Sequence, residues 1–282
     1  MTDKTHFIRA LRPFSLIVAI ATCGLGVSLA LVDGSDQFFL AGLVIITGLL
    51  LQIGVNLIND YRDLRDQHFS PQQCQAIRRN TRIGWGVMLL AILLGLWMVS
   101  MRGWPLLLLG ISGVFGAWAY TGGQINYKAR GLGILMVFLL MGVLLIGGSY
   151  YVVTGHYHWN VFWLSIPFSV LSSLLLLSNE LRDYEQDLAD GIRTLSVRLG
   201  YEIGVKLYYS LVTLLYLATV LLYQNGKLQG IALLLVTVFV LWQPLKLLHA
   251  PQHQRARLTP LTGRFYLIYS IAYITTILLP SA

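Results

Sequence analysis

Residues 38–66 read FFLAGLVIITGLLLQIGVNLINDYRDLRD. An apolar run from Phe38 to Leu57, about the length a helix needs to cross roughly 30 Å of hydrocarbon, ends in a cluster of amides, aspartates and arginines. The same transition recurs at residues 160–190, where a second apolar run ends in NELRDYEQDLAD, Asn179 to Asp190. If each helix continues into its polar end, Asn56, Asp60 and Asp63 lie on one stripe, and Asn179, Asp183 and Asp187 on another.

Counting outward from these two runs gives nine apolar stretches, at 14–32, 38–57, 84–101, 104–120, 131–153, 160–178, 203–223, 229–248 and 264–280. The expected fold class is therefore all-α: a polytopic membrane protein with nine transmembrane helices in one bundle, forming a single domain over residues 1–282. Composition agrees, because the chain is 56% hydrophobic and 11% charged with a mean hydropathy of +0.68, far from the roughly 25% charged residues of soluble domains. With the N-terminus cytoplasmic, every one of the 20 lysines and arginines except Arg102 and Lys227 falls on the cytoplasmic side. That asymmetry follows the positive-inside rule and would be lost if one span were added or removed.

The net charge of +8 is spread over short loops without interleaved aromatic residues, which argues against a nucleic-acid surface and for anionic lipid headgroups. Two isolated cysteines, Cys23 and Cys74, make no disulfide framework. Met1 to Pro13 is polar and lacks a small-residue cleavage site, so no removable signal peptide is expected. The segment Phe69 to Arg82 is expected to be a loop, serving as linker, lipid contact or lid. The His156/His158 pair, in an outer loop, has no acidic or thiol neighbours in sequence and is not expected to bind metal, and His68, His249 and His253 in inner loops are expected to be solvated.

Ionisable residues at a membrane edge usually face a cavity or a partner. Two carboxylate stripes on one side of a bundle would repel across a bare cavity and need cations between them. Exposed carboxylates and amides suit a hard divalent ion, and Mg²⁺ in particular shares its ligands between a few carboxylates and substrate phosphates. Arg62, Arg65, Arg182, Lys128 and Arg130 add donors for phosphate oxygens. A Mg²⁺-bridged diphosphate at the membrane surface accounts for both signs of charge.

These residues resemble the UbiA superfamily of intramembrane prenyltransferases. NLINDYRD (56–63) is similar to the family's first aspartate-rich motif, and NELRDYEQDLADGIRTLSVRLG (179–200) to its second with the following tail. Arg12-Pro13-Phe14-Ser15-Leu16 is similar to the family's lead into its first helix. The stretch from Tyr120 to Gly155 looks like the branch that prenylates 1,4-dihydroxy-2-naphthoate in menaquinone synthesis. Departures are Leu64 in place of a further Asp, Ile134 after Gly-Leu-Gly, Ile192 for a usual Lys, and Glu180 where a second Asn is common.

The resemblance implies that Asn56, Asp60 and Asp63 (or Asp66) hold one Mg²⁺ and that Asp183 and Asp187 hold the other. It implies that Lys128, Arg130 and Arg182, with Asn179, bind the diphosphate, and that Tyr120 forms the pocket floor and faces a developing allylic cation. The implied reaction moves a polyprenyl group from polyprenyl diphosphate to an aromatic hydroxy acid, with loss of CO2 when the acceptor is the naphthoate. The implied setting is a bacterial cytoplasmic membrane with the active site on its cytoplasmic side. Another aromatic acceptor, or an internal terpene cyclisation, fits the same motifs. A cation-coupled transporter would place its carboxylates near the bilayer midplane instead of at one edge. Oligomeric state is not legible.

Overall fold

The computed structural model describes residues 7–61, 64, 69–121 and 125–279. Among them the chain is entirely helical and contains no strand. Fourteen helices follow one another: α1 (Phe7–Ala10), α2 (Pro13–Val32), α3 (Phe38–Asn59), α4 (Pro71–Arg102), α5 (Trp104–Thr121), α6 (Gly133–Val137), α7 (Leu145–Thr154), α8 (Trp159–Arg182), α9 (Tyr184–Ala189), α10 (Leu195–Leu199), α11 (Tyr201–Gln224), α12 (Ile231–Leu247), α13 (Gln252–Arg255) and α14 (Leu258–Leu278). A π-helical stretch, Phe138–Leu144, joins α6 to α7 into one rod. Among the described residues, each of the nine apolar runs lies largely within one helical rod. Seven helical rods are long and apolar enough to cross a membrane, and α5 and α12 are apolar but shorter.

Hydrogen bonds across the bundle separate two ends. At one, Asn56 Nδ2 donates to the Leu11 carbonyl, Arg198 Nη2 to the Ala129 carbonyl, Arg255 Nη1 to the Leu181 carbonyl and Tyr201 Oη to the Leu248 carbonyl. At the other, Arg102 donates to the carbonyls of Val152 and Val153 at 2.6 and 2.8 Å, Tyr150 Oη to Asp33 at 2.6 Å and Lys227 Nζ to Asn160 at 2.6 Å. The long helices therefore run alternately up and down, and both acid-rich segments lie at the first end, called the polar end below. α8 is the most enclosed rod, packed against α11, α14 and the π-helical stretch.

Close approaches between helices depend on residues without side chains. A Cβ on Gly142, in the π-helical stretch, would lie 2.6 Å from Ser169 Cα, so the irregular turn seats directly on α8. A Cβ on Gly84 would lie 2.8 Å from Leu57 Cβ, which allows α4 to press against the polar end of α3.

Two expectations need correction. Phe69 to Arg82 is not a loop: α4 begins at Pro71, and Ser70 and Gln73 form a reciprocal capping box, with Ser70 Oγ accepting from the Gln73 amide at 3.3 Å and Gln73 Oε1 from the Ser70 amide at 2.9 Å. Ser-Pro-x-Gln is a helix start by mechanism, since it satisfies amides that have no partner within the first turn. The resulting 32-residue helix is about 48 Å long at 1.5 Å per residue, so its first turns, with Arg78, Arg79 and Arg82 exposed, outrun a hydrocarbon layer of roughly 30 Å. Second, the carboxylate stripes are not continuous helix faces. α3 stops at Asn59 with Asp60 as its C-cap, and α8 stops at Arg182, leaving Asp187 on the separate short helix α9.

Gly84→Val should destabilise the protein by roughly 1–3 kcal/mol, the usual cost of forced overpacking. Gly86→Val, where a Cβ meets nothing within 4 Å, should leave the thermal unfolding midpoint in detergent near that of the parent. Equal midpoints for the two variants would remove the Gly84 contact as a determinant of the α3–α4 approach.

Candidate active site at the polar end

The acid-bearing segments meet the chain's own cations. Asp60 is buried, and Arg12 Nη2 donates to its Oδ1 at 2.6 Å. Arg12 reaches it because the backbone there adopts φ 50°, ψ 71°, a left-handed conformation that a side-chain-bearing residue rarely takes. Two contacts hold it: Ser15 Oγ donates to the Arg12 carbonyl at 2.9 Å, and Asn56 Nδ2 donates to both the Leu11 carbonyl and Ser15 Oγ at 2.7 Å. Asn56 Oδ1 in turn accepts from Gln52 Nε2 at 2.9 Å. The amide one turn deeper than Asp60 thus clamps the lead into α2 and delivers Arg12 to the carboxylate.

At the end of α8, Arg182 grips Asp183 with two parallel bonds, at 2.7 and 2.5 Å. The turn into α9 is closed by the Asp187 amide donating to the Asp183 carbonyl at 2.8 Å, which leaves Asp187 buried. Burial raises the Asp187 carboxyl above the usual carboxylate range; the Lys128 ammonium opposes the rise, Asp183 and Asp190 add to it, and Arg182 lowers it. Lys128 is positioned by its own backbone, its amide donating to the Tyr120 carbonyl at 2.9 Å. Tyr120 lies within electrostatic reach of Arg12 on one side and of Glu180 and Asp187 on the other. Its ring is 3.5 Å from where a Cβ on Gly133 would stand. Tyr120 and Lys128 therefore both border the acid-bearing corners.

The donors at both corners are oxygens, the chemistry of a hard divalent cation. Arg12 on Asp60, Arg182 on Asp183 and Lys128 opposite Asp187 already satisfy positions suited to positive charge. Among the described residues no three acidic, histidine or cysteine side chains converge on a common point. Asp63 and Asp66 lie outside the described residues.

The UbiA prenyltransferase family matches residues 17–271, from the second turn of α2 to the middle of α14. The chain belongs to this family. It is 30% identical over 234 residues to the 1,4-dihydroxy-2-naphthoate octaprenyltransferase of Mycobacterium leprae, covering 79% of each chain. It is also 30% identical over 265 residues to the Escherichia coli protein of the same name, covering 87% of this chain and 81% of that one. A UbiA homolog from Archaeoglobus fulgidus, solved bound to GPP and Mg²⁺, superposes with a TM-score of 0.65 over 95% of this chain and 99% of its own at 16% identity. That similarity shows a UbiA fold.

Of the residues expected from sequence, Asn56, Asp60, Tyr120, Lys128, Arg130, Asn179, Arg182, Asp183 and Asp187 are all placed at the polar end. Arg130 is exposed and follows Lys128 in the inter-helix segment, and Asn179 is half-buried in the last turn of α8. Sequence reasoning assigned no site role to Arg12, whose signal was its position beside the Pro13 helix start. It also missed Glu180, a buried carboxylate that accepts from the Ser196 amide at 3.0 Å and from Ser196 Oγ at 3.1 Å. With Arg198 on the Ala129 carbonyl, this ties α10 between α8 and the Lys128 segment.

Removing the Lys128 charge takes away the main influence opposing the raised Asp187 carboxyl. Lys128→Met should therefore move the Asp187 titration to still higher pH, and Asp190→Asn should move it down, as followed by carbon NMR of labelled aspartate. An Asp187 titration unchanged by Lys128→Met would remove Lys128 from the charge environment of that carboxyl.

Proposed function

We propose that the protein is a Mg²⁺-dependent prenyltransferase that moves a polyprenyl group from its diphosphate to 1,4-dihydroxy-2-naphthoate, with loss of the carboxylate as CO2. The observation that best supports this reading is the gathering of Asp60 with Arg12, Asp183 with Arg182 and Asp187 with Lys128 at one end of an apolar bundle. The names of the relatives at 30% identity support the acceptor.

In this reading Asp60 and Asp63 hold one ion and Asp183 and Asp187 the other, with Asn56 fixing the corner that carries Asp60. When bound, Mg²⁺ neutralises charge on the departing diphosphate. Lys128 binds phosphate oxygens from the centre of the site, and Arg130, Arg182 and Asn179 bind them from its rim. Arg182 can exchange its carboxylate partner for phosphate without leaving its helix end. The ring of Tyr120 faces the allylic carbon as positive charge develops there, and the surrounding helices exclude water that would otherwise capture it. The acceptor ring attacks that carbon as its bond to diphosphate oxygen breaks. An apolar donor tail lies along the helices, which gives a physical reason for an enzyme of this kind to reside in a membrane. Its raised carboxyl makes Asp187 available to a metal only at a higher pH than an ordinary aspartate, because proton and metal compete for it.

The same reading takes residues 1–282 as one membrane domain with nine spans. The two shorter helices α5 and α12 count among the nine, and the polar end and N-terminus are cytoplasmic in a bacterial inner membrane. Its support is the gathering of lysine and arginine at the polar end, with Arg102 and Lys227 as the two at the opposite end. Half-buried Cys74, in the first turn of α4, provides the check: a membrane-impermeant maleimide should label it in inverted vesicles and not in right-side-out ones. The opposite pattern would reverse the orientation.

Asp60→Asn and Asp183→Asn should each lower turnover by at least about a hundredfold, as loss of charge stabilisation on a leaving group does, while the proteins remain folded. Lys128→Ala should raise KM for the prenyl diphosphate and leave KM for the acceptor unchanged. Full turnover in excess chelator would reject the metal. The decisive comparison is kcat/KM for 1,4-dihydroxy-2-naphthoate against 4-hydroxybenzoate with one donor. A ratio below one would reject the naphthoate acceptor and leave prenyl transfer standing.

A further inference from the structure

The region between α12 and α14 carries no residue of the proposed site, yet it sends one buried cation back to the acid-bearing corner. Arg255, on α13, is only 5% exposed. Its Nη1 donates to the Leu181 carbonyl at 3.2 Å. Leu181 is in the last turn of α8, where backbone carbonyls have no partner within the helix. Its Nη2 donates to Glu185 Oε1, in the first turn of α9. The guanidinium lies over the Tyr201 ring, its Cζ 4.4 Å from the centroid, and Tyr201 is itself anchored by Oη donating to the Leu248 carbonyl at 2.7 Å. Tyr184 meets the same ring edge-on at 5.4 Å.

The two anchor points of Arg255, Leu181 and Glu185, flank Asp183 in sequence. Asp183 is the residue at which the helix breaks, and its carbonyl receives the Asp187 amide. The angle of that break sets where the carboxylates of Asp183 and Asp187 stand relative to each other, and one planar, two-directional donor holds both sides of it. Lysine, a point charge on a flexible stem, could not span both partners in fixed geometry.

We propose that Arg255 is a positioning residue: by bridging the Leu181 carbonyl and Glu185 it sets the α8–α9 break so that Asp183 and Asp187 present their carboxylates together to a divalent cation. The metal in this statement rests on the proposed function above; the positioning itself does not.

The test compares the parent with Arg255→Met, Arg255→Lys and Glu185→Gln, all purified in detergent. Amide hydrogen exchange across residues 184–189 should speed up in Arg255→Met and Glu185→Gln, while exchange in α14 stays at the parent rate. Mn²⁺ half-saturation, followed by electron paramagnetic resonance with geranyl diphosphate present, should rise by roughly ten- to hundredfold, the usual loss when a group behind a metal ligand is removed. KM for the aromatic acceptor should not move. Arg255→Lys should recover part of the Mn²⁺ affinity through Glu185. Should Arg255→Met fail to fold, Glu185→Gln, whose side chain is 36% exposed, carries the comparison. Parent-like exchange across 184–189 together with parent-like Mn²⁺ half-saturation would overturn the proposal. So would an equal rise in acceptor KM and Mn²⁺ half-saturation, the sign of a general structural role. A parent that neither binds Mn²⁺ nor transfers a prenyl group would reject the proposed function, and the exchange comparison would still decide the positioning role.

Discussion

Carboxylates gathered at one end of an apolar bundle must be compensated, and that requirement organises the polar end of this protein. Asp60 is buried with Arg12 beside it, Asp183 is held by Arg182, Glu185 by Arg255, and Asp187 faces Lys128. Such a partner matters most where the carboxylate is buried, as at Asp60; where both side chains are part-exposed, as for Arg182 and Asp183, solvent screens the pair and it contributes little. The cations come from α2, α8, α13 and the segment before α6, so compensation draws together parts of the chain that are distant in sequence. The left-handed backbone at Arg12 is a local strain of the kind that persists only where surrounding contacts enforce it, and here Asn56 and Ser15 enforce it.

The same arrangement has a chemical use. A site that already balances carboxylate against guanidinium and ammonium can admit a divalent cation and a polyanionic diphosphate together, since each brings the charge the other's ligands lack. The long helices supply the complementary property, an apolar interior. Several buried tyrosine hydroxyls within it pair across helices: Tyr208 with Thr262, Tyr269 with Thr219 and Tyr273 with the Leu164 carbonyl. These pairs serve helix contacts.

Much of this could be read in the chain itself. Apolar run length locates the helices because a helix crossing hydrocarbon has to satisfy its backbone internally and cover itself with apolar side chains. The repeated Asn-x3-Asp at the ends of two such runs points to the candidate site, because charge at a membrane edge is expensive without a function. Misreadings came where a local signal was weighed against polarity alone. Ser70-Pro71-Gln72-Gln73 is a helix start inside what polarity suggested was a loop, and the capping box that identifies it is a matter of hydrogen-bond geometry. The break of α8 at Asp183 has no glycine or proline to mark it, and its stabilising partner, Arg255, is 70 residues from Glu185.

By itself the sequence determined the all-helical membrane character, the location of the acid-bearing ends and the oxygen-and-guanidinium chemistry they carry, because burial cost and helix periodicity act on neighbours along the chain. Only the tertiary structure decided which cation meets which carboxylate. Arg12 lies 48 residues from Asp60, and nothing in the composition of either segment distinguishes Arg12 from the exposed arginines of α4 as its partner. That pairing depends on where α2 and α3 come to rest against each other, which is set by packing over their whole lengths.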